Sequence, residues 1–185
     1  MNFPFKALFF ITFFFTQHSN AQIFGSKNEK ISSEFANTLS TEKPLSEIKE
    51  VIKFYLENLD DFSTKKKDFT TNDSEDEWKL KCKFKVSKSG LIGQQTNGAV
   101  HYHLVLLVRD STVFYRFSNF RFQPYYRNRY GRFVPQNNVY YPLETHWEGE
   151  SLHTWQQHQA ATQEHIQQNI AALQSVLLGE NIAEK

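Results

Sequence analysis

Residues 78–86 read WKLKCKFKV, an apolar residue at every even position and lysine at every odd one. Successive side chains of a strand point to opposite faces, so a strict two-residue period marks a strand buried on one side and wet on the other. Trp78, Leu80, Cys82, Phe84 and Val86 make the buried face, and Lys79, Lys81, Lys83 and Lys85 the wet one. Such a strand needs partners. After a Gly-rich connection through Gly90, Gly93 and Asn97-Gly98, a second strand is expected from about Ala99 to Arg109. It turns Val100, Tyr102, Leu104, Leu106 and Val108 one way, and His101, His103, Val105, Leu107 and Arg109 the other. Asp110-Ser111-Thr112 is a short turn, and Val113 to Phe122 gives a third strand. The three make an antiparallel meander.

Outside the meander the period changes. Following Pro44, apolar residues recur three and four apart at Leu45, Ile48, Ile52, Tyr55 and Leu59, the stripe of an amphipathic helix ended by Asp60-Asp61. A weak alternation through Ile31, Ser33, Phe35, Asn37 and Leu39 marks a first strand before it. The acids of TTNDSEDE read as a solvated loop, because they lack the Gly-centred spacing of a calcium loop. A long helix is expected from about Ser151 to Leu178, stopped by Gly179, with Leu152, Trp155, Ile166, Ile170, Leu173 and Leu177 on one stripe interrupted by Gln159 and Thr162. No period dominates residues 123–149, a length that points to function or to a hidden short hairpin. Val139-Tyr140-Tyr141 is the segment expected to be a strand there. The fold class is α+β, an antiparallel sheet with helices on one face.

The amino terminus carries an address. Lys6 precedes the unbroken apolar run ALFFITFFF at residues 7–15, and Ser19 and Ala21 occupy the small positions of a cleavage site. Nine apolar residues are too few to cross a bilayer, which takes about 20. Residues 1–21 are therefore expected to be a signal peptide cleaved before Gln22, giving an exported chain, periplasmic or secreted, without a transmembrane segment or a lipid-anchoring cysteine. The remaining residues 22–185 suit one domain. Removing residues 1–21 takes away Lys6 and no acid, so the formal charge goes from +1 to zero. Any preference for anions must then come from local clustering. Cys82 is the only cysteine. A catalytic thiol is conceivable there, but the strand phase places it in the core.

The order of helix, meander and terminal helix, carried by PLSEIKEVIKFYLENL (44–59) and VHYHLVLLVRDSTVFYRFSNF (100–120), resembles a family of exported bacterial domains of unknown function with a TATA-binding-protein-like fold, the domain-of-unknown-function 4468 family. Arg109-Asp110 and Tyr115-Arg116-Phe117 match its pattern of a charged Asp turn followed by Arg beside aromatics. The resemblance covers about residues 31–122 and implies the fold. It brings no catalytic residues, and the DNA binding of the fold's namesake does not follow from the fold.

Signals for chemistry are sparse. His101-x-His103 sets two imidazoles on one strand face, as some zinc sites begin. A third ligand would have to come from His146, His153, His158 or His165, none at a diagnostic spacing, so no metal or other cofactor is expected. Nucleophile elbows and phosphate-binding Gly loops are missing from the sequence. A periplasmic enzyme assembled from unrecognised positions stays open as an alternative. The arginines are the sharper feature: all six lie between Arg109 and Arg132, interleaved in YYRNRYGRFVPQNNVYY (125–141) with tyrosine. Arg and Tyr are the residues of recognition surfaces. Arg127, Arg129, Arg132, Tyr125, Tyr126 and Tyr130 are candidate partner-binding residues. Lys79, Lys81, Lys83, Lys85, His101, His103, Arg109 and Arg116 form a candidate basic sheet face. Phe114, Phe120 and Phe122 share the phase of Arg116, so the Tyr-rich segment is expected to fold over their rings with its arginines outward. These observations lead to a non-catalytic binding or scaffold module of the cell envelope. Its expected partner is an envelope protein, or a polyanion or glycan on the basic face. Nucleic acid is set aside because of the export signal.

Overall fold

A computed structural model of the chain describes residues 31–59, 69–72, 76–90 and 93–179. The expected signal peptide and the acids at 60, 61 and 73–75 lie outside them. Strands β1 (Glu34–Ser40), β2 (Phe69–Asn72), β3 (Glu77–Gly90), β4 (Gly93–Arg109) and β5 (Thr112–Arg127) build an antiparallel sheet in the order β1-β5-β4-β3-β2. Two short strands, β6 (Phe133–Pro135) and β7 (Tyr141–Pro142), pair with β5. Helices α1 (Leu45–Glu57) and α2 (Leu152–Leu178) pack on one face. The α+β architecture and the terminal helix are as the periods indicate.

Several boundaries move. The Gly-rich stretch after Val86 is paired strand and not loop, since β3 and β4 run on as far as Gly90 and Gly93. Residues 69–72, expected within a loop, pair with β3 as its outer neighbour. At α2 the ends match their signals: the Ser151 hydroxyl accepts from the Thr154 amide, and Gly179 takes the left-handed turn at φ 74°. Leu152 faces solvent instead of joining the stripe, and the buried side of α2 runs through Trp155, His158, Thr162, Ile166, Leu173 and Leu177. The polar middle is thus inside. Thr162 returns its hydroxyl proton to the His158 carbonyl one turn back, which satisfies it without breaking the helix.

The core face keeps the predicted phase in β3 and β4, where Leu80, Cys82, Val86, Val100, Tyr102, Leu104, Leu106 and Val108 are buried. In β5 the phase breaks. Val113, Tyr115 and Phe117 are buried, and then so are Phe120 and Phe122. The register explains the change: His103 pairs with Ser118 but His101 with Arg121, so β5 carries one residue more than β4 opposite Tyr102. That is a β-bulge, and Asn119 sits in it at φ 59°. An extra residue moves every later side chain to the other face. Phe120 and Phe122 are therefore core residues, contrary to the expectation that they share the wet face of Arg116. Phe120 meets Phe35 edge-on at 5.7 Å, and Phe122 meets Trp155 edge-on at 5.4 Å.

A second bulge lies between β3 and β4. Val86 pairs with Gly98 and Ser87 with Thr96, leaving Asn97 as the extra residue. Its amide reaches the helix layer, where it lies 2.8 Å from Glu150 Oε2 and 2.9 Å from His158 Nε2. Gly98 beside it admits no side chain, because a Cβ there would stand 2.5 Å from the Gln123 carbonyl oxygen and from the Phe122 ring.

Two outcomes follow. Asn119→Val is expected to lower stability by about 1–3 kcal/mol, because a branched residue enters the left-handed region only with strain, while Asn119→Gly keeps the register; urea unfolding of both variants measures the difference. Cys82 is 2% exposed, so a water-soluble thiol reagent should titrate it in denaturant and fail to react with the native protein over the same time.

Candidate interaction surface

The helices leave the second face of the sheet open. On β3 it carries Lys79, Lys81, Lys83 and Lys85; pairing sets Lys81 beside His103 and Lys83 beside His101. On β5 it carries Arg116, opposite Val105, and Arg121, opposite His101. Arg121 joins this face only because of the bulge at Asn119; period-two counting from Arg116 puts it in the core. Lys81, Lys83, Lys85, Arg116 and Arg121 are all exposed, and among the described residues none of them forms an ion pair. Lys79 is different: it binds Glu77 on its own strand at 2.7 Å. Glu77 and Glu34 are the acids of this face by register. The acids of α1 (Glu47, Glu50, Glu57), with Glu144, Glu148 and Glu150 beyond β7, lie apart from it. A nearly neutral chain is thus electrically polarised. From β3 to β5 the basic patch measures about 10 Å across and about 20 Å along the strands.

The two histidines sit within this patch. His101 Nε2 is 2.9 Å from Gln123 Oε1, and Gln123 in turn donates to the Gln136 carbonyl at 3.0 Å. The Tyr140 ring closes over His101 edge-on at 5.2 Å. Segment 136–140 thus covers one corner of the face. His103 lies open beside Asn119, whose Nδ2 is 3.3 Å from its Nε2. Burial lowers the pKa of His101 from the ordinary 6.5, opposed by its bond to Gln123 and helped by Lys83. That of His103 is lowered too, by burial and then by Lys81 and Arg121. Both rings are neutral at pH 7.

The expected pairing of these histidines with others does not occur. His158 and His165 belong to α2 on the far side of the sheet, where His165 stacks on Phe84 at 4.0 Å and His158 on Phe122 at 4.9 Å. His146 bonds to the Glu150 carbonyl, and His153 lies against Gln157. Among the described residues no group of three or more His, Cys, Asp or Glu could hold a metal ion.

Six of the segment's Arg and aromatic residues gather on one device. Strands β5 and β6 form a hairpin in which Tyr125, Tyr126 and Arg127 pair with Pro135, Val134 and Phe133. Its tip is a three-residue loop closed by Asn128. The Asn128 amide donates to the Arg132 carbonyl, its carbonyl accepts from Gly131, and its Oδ1 accepts from the amides of Tyr130 and Arg132. Gly131 supplies the left-handed residue such a loop needs, at φ 76°. Arg127 Nε donates back to the Gly131 carbonyl at 3.2 Å, and the Arg129 guanidinium lies 4.8 Å from the Tyr130 ring centroid. Arg127, Arg129 and Arg132 are exposed, as expected. The aromatics do not fold over the sheet: Tyr126 is 53% exposed, Tyr130 71% and Phe133 42%. Covering falls to the following residues, where β7 pairs Tyr141 with Phe122 and Tyr141 stacks on Trp147 at 4.4 Å.

The sequence matches no family model and no curated protein. Among solved structures it is similar to a DUF4468 family protein from Bacteroides ovatus. The identity is 9%, 82% of this chain and 89% of that chain are covered, and the TM-score is 0.58. The fold resembles that of the DUF4468 protein. A TBP-like protein from Parabacteroides distasonis is also similar, at 10% identity over 76% of this chain and 92% of that one, with a TM-score of 0.49. At such identities the likeness is one of fold. Two features of the surface escaped the sequence: Arg121, hidden by the bulge, and Gln123 with Tyr140, which depend on contacts far along the chain.

The lowered pKa of both histidines has a sign. The folded chain binds fewer protons than the unfolded one below pH 6.5, so this part of its stability is complete above 6.5 and is lost as pH falls below it. The melting temperature should drop on acidification from pH 7, and less steeply in a His101→Gln/His103→Gln variant; thermal scans across that range check it.

Proposed function

We propose that this protein is a non-catalytic binding module of the cell envelope, and that its open sheet face takes an anionic polymer. The observation that carries this is the patch of Lys81, Lys83, Lys85, Arg116 and Arg121, exposed and without acid partners among the described residues. Like charges on neighbouring strands repel, so this arrangement costs stability unless an outside anion offsets it. The patch holds several charges of a linear polymer in register, with lysines spaced by two residues and cations on alternate strands. Export rests on the apolar run of residues 7–15 and its flanks. The fold likeness is compatible with many functions and selects none.

Dextran sulfate titrated into the protein and followed by calorimetry tests the reading, with neutral dextran as control. Binding is expected for the sulfated polymer alone, weakening as salt rises. The variant Lys81→Glu/Lys83→Glu/Arg116→Glu/Arg121→Glu should bind about tenfold or more weakly, whereas Lys53→Glu on α1 should bind like the parent. Acid should strengthen binding, because a nearby anion favours protonated His101 and His103. Equal affinity of parent and sheet-face variant refutes the proposal.

A further inference from the structure

The β5–β6 hairpin presents a surface that the sheet-face reading does not use. From Ser111 to Leu143 the chain contains no Asp or Glu, yet it carries five of the six arginines. At the hairpin the cations come with large, exposed aromatic rings. Exposed aromatics on a soluble protein mark a contact surface when they cluster, and here the backbone under them is held fixed by the bonds to Asn128.

The distribution of the rings decides what kind of contact. Arg127 pairs with Phe133 on one side of the hairpin, Tyr126 lies on the opposite side by alternation, and Arg129 and Tyr130 occupy the tip. A folded protein partner touches one face of such a hairpin and leaves the other wet. A lipid interface surrounds the tip from every side. Tyrosine is enriched at the level of the headgroups, where its ring is in apolar surroundings and its hydroxyl is wet. Arginine there meets phosphate in its preferred two-pronged geometry. Amphipathic elements of this kind rest about 5–10 Å into the boundary, which is the depth of the three-residue loop and its first paired residues.

We infer that the tip of the β5–β6 hairpin, Arg127, Arg129 and Arg132 with Tyr126, Tyr130 and Phe133, docks the protein onto an anionic phospholipid surface. The inference is independent of polymer binding on the sheet face. It uses a different set of side chains, and its failure would leave that reading standing.

The test is partitioning of the full protein onto vesicles of phosphatidylglycerol mixed with phosphatidylcholine, against phosphatidylcholine alone, by co-sedimentation. Binding is expected on the anionic vesicles only. Arg127→Ala/Arg129→Ala/Arg132→Ala should weaken it on the order of a hundredfold, given the usual gain per basic residue near such a surface. The tip residues are exposed, so circular dichroism should show all these variants folded. Depth is read separately: in a Tyr130→Trp variant, lipids brominated on the acyl chain should quench fluorescence beyond the quenching seen in the parent. The sheet-face variant described above should retain that quenching. Three results would overturn the inference. One is equal binding to both vesicle types. Another is anionic binding with no added quenching from position 130, which means adsorption through the sheet. The last is capture of the parent by soluble polyglutamate as strong as by vesicles and lost with the tip arginines, which means an acidic polypeptide partner.

Discussion

The extra residue of β5 opposite Tyr102 is the constraint on which the rest of the molecule depends. Before it, odd positions of β5 point to the helices; after it, even positions do. That change moves Phe120 and Phe122 into the core, where Phe122 meets Trp147, Trp155 and His158. It also carries Arg121 onto the open face, next to His101. A β5 without the bulge would bury an arginine and expose two phenylalanines. The desolvation of an unpaired guanidinium alone would be several kcal/mol. Core and surface are thus set by one local irregularity, with Asn119 in a backbone region that Asn enters more readily than most residues.

The second bulge does related work at the other hairpin. Asn97 turns its amide toward the helices and meets Glu150 and His158, one just before α2 and one near its start. Buried polar groups need partners, and here the partners come from residues 53 and 61 positions away along the chain. The two bulges together fix how the beginning of α2 lies over the ends of β4 and β5. The other end of α2 is held by apolar packing of Leu173 and Leu177 and by the bond from Tyr55 to the Asn169 carbonyl.

Much of this was legible in the residues. The two-residue period of 78–86 located the sheet, the three-and-four period after Pro44 located α1, and Ser151 and Gly179 bounded α2 almost to the residue. These signals are local, because they depend on each side chain's own turn of helix or strand. What escaped was non-local. Asn119 looks like any polar residue of a strand, and nothing nearby in the sequence announces that Tyr102 faces two residues. The buried His158 and Thr162 looked like an interruption of an apolar stripe, since their partners are the Asn97 amide and a backbone carbonyl. Of the candidate surface, the lysine row was plain from its period. The hairpin could be suspected from its Gly and Asn, but the exposure of its aromatics could not, because that follows from Tyr141, Trp147 and Leu143 filling the place they were expected to take.

The position of α2 also bears on how the chain reaches this state. It follows every strand of the sheet in sequence, and it supplies Trp155, Ile166, Leu173 and Leu177 to a core whose other wall is complete by Leu143. Its weakly apolar, glutamine-rich sequence gives it little reason to form alone, since isolated helices draw most of their stability from packing. The nascent sheet therefore stays uncovered on one side until the last helix emerges, and the final cooperative step of folding waits for it. For a chain synthesised from its amino end, this ordering keeps the polypeptide unfinished, and so threadable through a narrow passage, for as long as it is being made.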